Sequence, residues 1–92
     1  MAQAAARWLI AGEVQGVGFR WFAARHGQRL GLRGWVCNLP DGRVEAVASG
    51  EAAQLEEFAT QLEAGPRFSR VDRVERTDIP HEDVSVKSFD IR

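Results

Sequence analysis

Trp8-Leu9-Ile10-Ala11-Gly12, running into Glu13-Val14-Gln15-Gly16-Val17-Gly18-Phe19-Arg20, is the stretch that decides how this chain is read. A short apolar run enters a loop with two glycines one residue apart, and Trp21 to Leu30 after it reads as a helix. Gly tolerates φ > 0, so the loop can turn tightly. Such a turn can aim several N–H groups into one concavity, and a helix start adds unpaired donors and a positive dipole end. Arg20 closes the loop with a planar guanidinium whose fork matches two oxygens of a phosphate. The pattern points to an anion cradle for a phosphoryl group. The plainer alternative is a tight strand-to-helix connection with an arginine on its surface. Two familiar phosphate loops are excluded. The dinucleotide fingerprint needs a third glycine where position 21 is Trp, and the P-loop needs Lys, then Ser or Thr, after its second glycine.

Outward from the loop, residues 1–6 read as a flexible N-terminal tail and 7–12 as a strand, apolar on both faces and therefore central. In the helix, Phe22, His26 and Leu30 recur at i, i+4 and i+8, with Ala23 and Gly27 beside them. Gly27 costs about 1 kcal/mol against Ala in a helix interior, and close packing on a sheet is the ordinary reason to keep one. Gly31 is placed as a C-terminal cap. Residues 34–38 and 43–48 read as two strands joined by Leu39-Pro40-Asp41-Gly42, a strong turn signal. Ser49 or Gly50 suits the cap of a helix over 51–64, whose stripe is Leu55, Phe58, Ala59 and Leu62 and whose stop is Gly65-Pro66. Residues 69–77 alternate, but Val71 and Val74 are out of phase, so a bulge or bend is expected. Residues 84–91 read as the last strand, with Phe89 and Ile91 on one face.

The order is β-α-β-β-α-β within one domain, 7–92. Two right-handed crossovers around a central hairpin put both helices on one sheet face and leave the other more open. This is the ferredoxin-like class of α+β sandwich, with a mixed, mainly antiparallel sheet, and by itself it says little about activity. The 92 residues suffice for one domain, and 45% hydrophobic with 27% charged residues is ordinary for a soluble one. A formal net charge of −1 argues against broad nucleic-acid binding, which relies on a basic field. Cys37 is the only cysteine, which excludes an internal disulfide and any cysteine-based zinc site. Neither a signal-peptide pattern nor a membrane-length apolar run is present, and a cytoplasmic location is expected.

Gly12 to Arg20, followed by Leu30-Gly31-Leu32-Arg33-Gly34-Trp35-Val36-Cys37-Asn38 and Leu39-Pro40-Asp41-Gly42-Arg43-Val44-Glu45, closely resembles the acylphosphatase family, over about residues 7–92. The resemblance implies a small hydrolase that splits an acyl phosphate and water into a carboxylate and inorganic phosphate; a monomer is expected, because no spare amphipathic helix demands a partner. It implies that Arg20 binds the phosphate and Asn38 positions the attacking water. It implies that Gln15, Gly16, Val17, Gly18 and Phe19 cradle the phosphate through backbone N–H groups. It implies no metal or organic cofactor; from the net charge and the lack of a membrane-length apolar run, no nucleic-acid or membrane partner is expected.

Two positions depart from the family's habit: Glu13, where many relatives carry a basic residue, and Cys37, where a basic or bulky one is frequent. Glu13 would oppose an anionic substrate unless it points away or pairs with an arginine. Cys37 and Asn38 are adjacent, so on a regular strand they face opposite ways. Trp21 and Phe22 are read mainly as core, with contact to an acyl group as the alternative. His26 and His81 share no spacing that would make a proton-transfer pair or a metal site. Two further function classes stay open at this stage. One is an anion-binding regulatory module on the same fold. The other is a single-strand nucleic-acid binder stacking bases on Trp8 and Trp35 of an open sheet face.

Overall fold

Eleven residues, Gln3–Glu13, form β1, the longest strand of a five-stranded sheet ordered β4-β1-β3-β2-β5 in this computed structural model, which describes residues 2–92. The other elements are α1 Phe19–Arg29, β2 Arg33–Asn38, β3 Val44–Glu51, α2 Ala52–Ala64, β4 Arg70–Ile79 and β5 Phe89–Ile91, with a single 3-10 turn at His81–Asp83. β1 lies antiparallel to β3 and β4, β2 antiparallel to β3, and β5 parallel to β2. The first four strands and two helices give the expected β-α-β-β-α-β sandwich, and β5 extends its edge beside β2.

The expected tail is corrected from Gln3 onward: Gln3, Ala4 and Ala5 pair with Glu51, Gly50 and Ser49. Nothing in Gln-Ala-Ala-Ala favours a strand, but β3 runs on to Glu51 and supplies the partner, so tertiary pairing overrides local preference. Met1, the first residue of that tail, lies outside the described residues. The same pairing removes the expected helix cap. Ser49 and Gly50 belong to the sheet, α2 begins directly after Glu51, and buried Ser49 accepts a hydrogen bond from Arg33 Nη2 at 3.1 Å.

The core lies between one sheet face and the helices. Trp8 and Ile10 of β1, Val36 of β2 and Val44 and Ala46 of β3 meet Phe19 and Ala23 of α1 and Leu55, Phe58 and Leu62 of α2. The Phe58 ring packs edge to face against both Trp8 and Phe89, with centroids 5.4 Å apart in each of the two pairs. Such pairs add about 0.5–1.5 kcal/mol each beyond their buried area. The α1 stripe is rotated from the expected one: its fully buried residues are Phe19, Ala23, Ala24 and Gly27, while Phe22, His26 and Leu30 flank them. Small residues dominate because the helix lies close to the sheet. A Cβ on Gly27 would stand 2.6 Å from Phe89 Cδ2. Gly31 ends the helix as expected: its N–H donates to Gln28 O and that of Leu32 to Gly27 O, which is the Schellman pattern.

The expected bulge is present. Ala11 pairs with Arg73 and Gly12 with Val71, so Asp72 is the extra residue of β4. β4 is an outer strand, and ion pairs two residues apart line it: Arg70–Asp72, Arg73–Glu75 and Arg76–Asp78. The last strand is shorter than expected. Val84 and Val86 lie in irregular chain before β5 and cover the second sheet face, packing with Ala5, Val47, Trp35 and Ile79. That face is therefore less open than the topology alone suggests.

Candidate active site

The loop between β1 and α1 is built by two left-handed glycines. Gly16 and Gly18 have φ of 76° and 79°, where a Cβ would be strained. Gly18 is the N-cap of α1, and its carbonyl accepts the first helical hydrogen bond, from Phe22 N at 3.0 Å. The amides of Phe19, Arg20 and Trp21 therefore have no acceptor within the helix, and they stand at its positive end. The helix starts two residues earlier than expected, which places Phe19 and Arg20 within its first turn.

A cleft of about 190 Å³ opens at this point, walled by Gly16, Gly18, Phe19 and Arg20 on one side and by Asn38 of β2 on another. Asn38 reaches it through strand alternation. Gly34, Val36 and Asn38 point to the helix side of the sheet, and Cys37 points to the other face, toward Glu45 Oε1 at 3.6 Å. Burial and the neighbouring Glu45 carboxylate push the Cys37 thiol up from its ordinary value, so it is poorly suited as a nucleophile. Arg20 is exposed, and its Nη1 donates to the backbone oxygen of Arg92 at 3.4 Å, at the outer limit of a hydrogen bond. Arg92 is held in turn: its N–H donates to Val36 O at 2.8 Å, and its guanidinium lies 4.1 Å from the Trp35 ring centroid.

Gln15 and Val17 are not on the cleft wall. Val17 packs partly buried against the core. Gln15 does something the sequence did not indicate: its Nε2 donates to Leu39 O at 2.8 Å and Arg43 O at 3.0 Å. The side chain thereby ties the glycine loop to the hairpin that follows Asn38. Three further wall residues, Val14, Trp21 and Ile91, are not among the expected site residues. Trp21 reads mainly as core from the sequence, with acyl contact as the alternative, and Ile91 arrives only through the β2–β5 pairing with Val36.

The histidines stay apart in their contacts. His26 stacks edge to face on Phe22, while His81 sits in the 3-10 turn beside Glu82. Trp8 is buried and Trp35 is covered by Arg92, so neither offers the free stacking face that single-strand binding requires. Among the described residues no helix is long and apolar enough to cross a membrane.

Comparison with known proteins agrees with this fold. The acylphosphatase family model matches residues 6–91. The acylphosphatase of Koribacter versatilis is 52% identical over 85 residues, covering 92% of this chain and 76% of that one. The crystal structure of the Bacillus subtilis acylphosphatase superposes with a TM-score of 0.92 at 35% identity, covering 97% of this chain and 98% of that one. An acylphosphatase structure from Coxiella burnetii superposes with a TM-score of 0.89 at 36% identity, covering 98% of this chain and 93% of that one. With the family model spanning residues 6–91 and a relative 52% identical over most of its length, this chain belongs to the acylphosphatase family.

Proposed function

We propose that this enzyme hydrolyses the carboxyl–phosphate bond of small acyl phosphates, with Arg20 and the loop amides binding the phosphoryl group and Asn38 orienting the attacking water. The water oxygen forms a bond to phosphorus as the bond from phosphorus to the acyl oxygen breaks. The carboxylate leaves with that electron pair, and the water's proton passes to a phosphate oxygen. A carboxylate, whose acid has a pKa near ~4, departs without prior protonation, so no strong general acid is required. Phosphoryl transfer asks the protein for charge stabilisation and in-line positioning. Arg20 and the amides of Gly18, Phe19 and Arg20 suit the first task. The Asn38 carbonyl oxygen suits the second, since it can accept from water while its NH₂ donates to the substrate.

The single observation that carries this reading is that Arg20 and Asn38, on separate elements, face one cleft floored by the Gly16–Gly18 turn. We further propose that the reaction needs no metal and that the enzyme works as a cytoplasmic monomer. The test is phosphate release from benzoyl phosphate, with chelator present, by wild type, Arg20→Ala and Asn38→Ala. Chelator-resistant turnover is expected, falling about 10²–10³-fold for either variant, the scale seen when one charge-stabilising donor is removed. Wild type no faster than buffer removes the catalytic reading and leaves an anion-binding regulatory module.

A further inference from the structure

Only three large hydrophobic side chains are strongly exposed among the described residues: Trp21, Phe68 and Ile91. Two of them, Trp21 at 61% and Ile91 at 47% exposure, line the same cleft as Arg20 and Asn38. They come from unrelated places. Trp21 stands in the first turn of α1, one residue after Arg20, and Ile91 stands on β5, whose pairing with Val36 sets it on the helix side of the sheet. The fold leaves each of them facing water, although adjacent Phe19 is fully buried. Exposed apolar side chains that share a cleft with a few convergent polar groups suit the apolar portion of a ligand.

We infer that Trp21 and Ile91 form the acyl-group subsite of this enzyme, selecting acyl phosphates with an aromatic or extended apolar acyl group over those with a short one. The inference rests on the acyl-phosphate reading above and names its substrate class. The charge layout supports it. The phosphate end of the cleft carries Arg20 and unpaired amides, and an acyl phosphate pairs its dianionic end with an uncharged tail. With the phosphate against Arg20, the tail must leave along the remaining wall. The Trp21 indole is also held in place: the Arg25 guanidinium lies 5.2 Å from its ring centroid, a cation–π contact between i and i+4 on the helix. An indole restrained before binding loses less side-chain entropy when a ring stacks on it. Ile91 is fixed more firmly, because the strand carrying it continues to Arg92, whose N–H donates to Val36 O.

The experiment compares kcat/KM for benzoyl phosphate and acetyl phosphate in wild type, Trp21→Ala, Trp21→Phe and Ile91→Ser. Comparing the benzoyl-to-acetyl ratio of each variant with that of wild type cancels the intrinsic reactivities of the two substrates. In Trp21→Ala the benzoyl-to-acetyl ratio is expected to fall about tenfold, the scale of discrimination that an apolar contact supplies. Trp21→Phe should restore most of it, and Ile91→Ser should lower it by a smaller factor. Thermal melts of the same samples establish that each variant is folded; both positions are exposed, so surface substitutions there are tolerated. A ratio unchanged in Trp21→Ala overturns the subsite while leaving the hydrolase intact, as does an equal loss on both substrates. Wild type inactive on both substrates overturns the hydrolase and the subsite together.

Discussion

Glu13 Oε1 accepts a hydrogen bond from Arg70 Nη1 at 2.7 Å, so the carboxylate that opens the glycine loop is drawn to the start of β4. Arg70 also holds Asp72 through Nε at 2.9 Å, and the three groups together leave one net negative charge near the cradle. The pairing answers the objection that a carboxylate at position 13 repels substrate, but only in part. Glu13→Gln should lower KM about two- to threefold at low salt with kcat unchanged, and Arg70→Ala should raise it. Both effects should shrink in about 1 M salt, where the screening length is about 3 Å. Stability should change little, because the pair is exposed. Initial rates against substrate concentration at two ionic strengths decide the matter.

Gln15 should act through Asn38 rather than on substrate. Its two donations to Leu39 O and Arg43 O couple the loop to the hairpin, and a carboxylate cannot make them. Gln15→Glu should reduce kcat several-fold while KM changes little, with about 1–2 kcal/mol of stability lost. Gln15→Asn, too short to span the gap, should behave alike. A KM effect in place of a kcat effect would assign Gln15 to binding.

Close packing at Gly27 makes a stability prediction with a functional echo. A Cβ there meets the Phe89 ring. Overpacking costs about 1–3 kcal/mol, partly offset by about 1 kcal/mol of better helix propensity. Gly27→Ala should therefore lower the denaturant midpoint despite that propensity. Because Phe89 and Ile91 share β5, it should also disturb the benzoyl-to-acetyl ratio more than Arg20-dependent turnover.

A mild acid sensitivity should trace to His26. Burial, then the charges of Arg29 and Arg25, push its imidazole below the ordinary 6.5. The unfolded chain thus takes up a proton before the folded one. This contribution to stability is complete above about 6.5 and is lost as pH falls from there through the lower folded value. The paired carboxylates act in a different window. Asp41 is lowered first by the backbone N–H of Arg43, Glu56 by hydrogen bonds from Arg76, and Asp72 by those from Arg70. Their contributions are lost only as pH falls below the usual carboxylate range near ~4. His26→Gln should flatten the fall in melting temperature between pH 8 and 5.5 and leave the fall below pH 4.

Much of this architecture is legible in the sequence because several signals agree. The Leu55, Phe58 and Leu62 stripe, the Pro40-Asp41-Gly42 turn and the out-of-phase Val71 and Val74 each name their element. What is hidden is decided at long range. Gln3 to Ala5 become strand only because Ser49 to Glu51 extend to meet them. The true buried face of α1 is masked by its small residues, Ala23, Ala24 and Gly27, which leave Phe22 looking like the stripe. In the site, the glycine turn and Arg20 are readable from local chemistry, and Asn38 only through family resemblance. Trp21 cannot be assigned to rim or core until the phase of α1 is known. Ile91 needs the parallel pairing of β2 with β5, which no local pattern encodes.

The bulge and ion pairs along β4 have a consequence for the chain among its neighbours. A bare outer strand is a template on which another polypeptide can lay its backbone, the first step toward fibrils. Here Asp72 breaks the flat register, and any strand arriving at that border must strip water from alternating arginines and carboxylates. The border therefore works as a gatekeeper, discouraging runaway stacking at high concentration while leaving the catalytic face untouched.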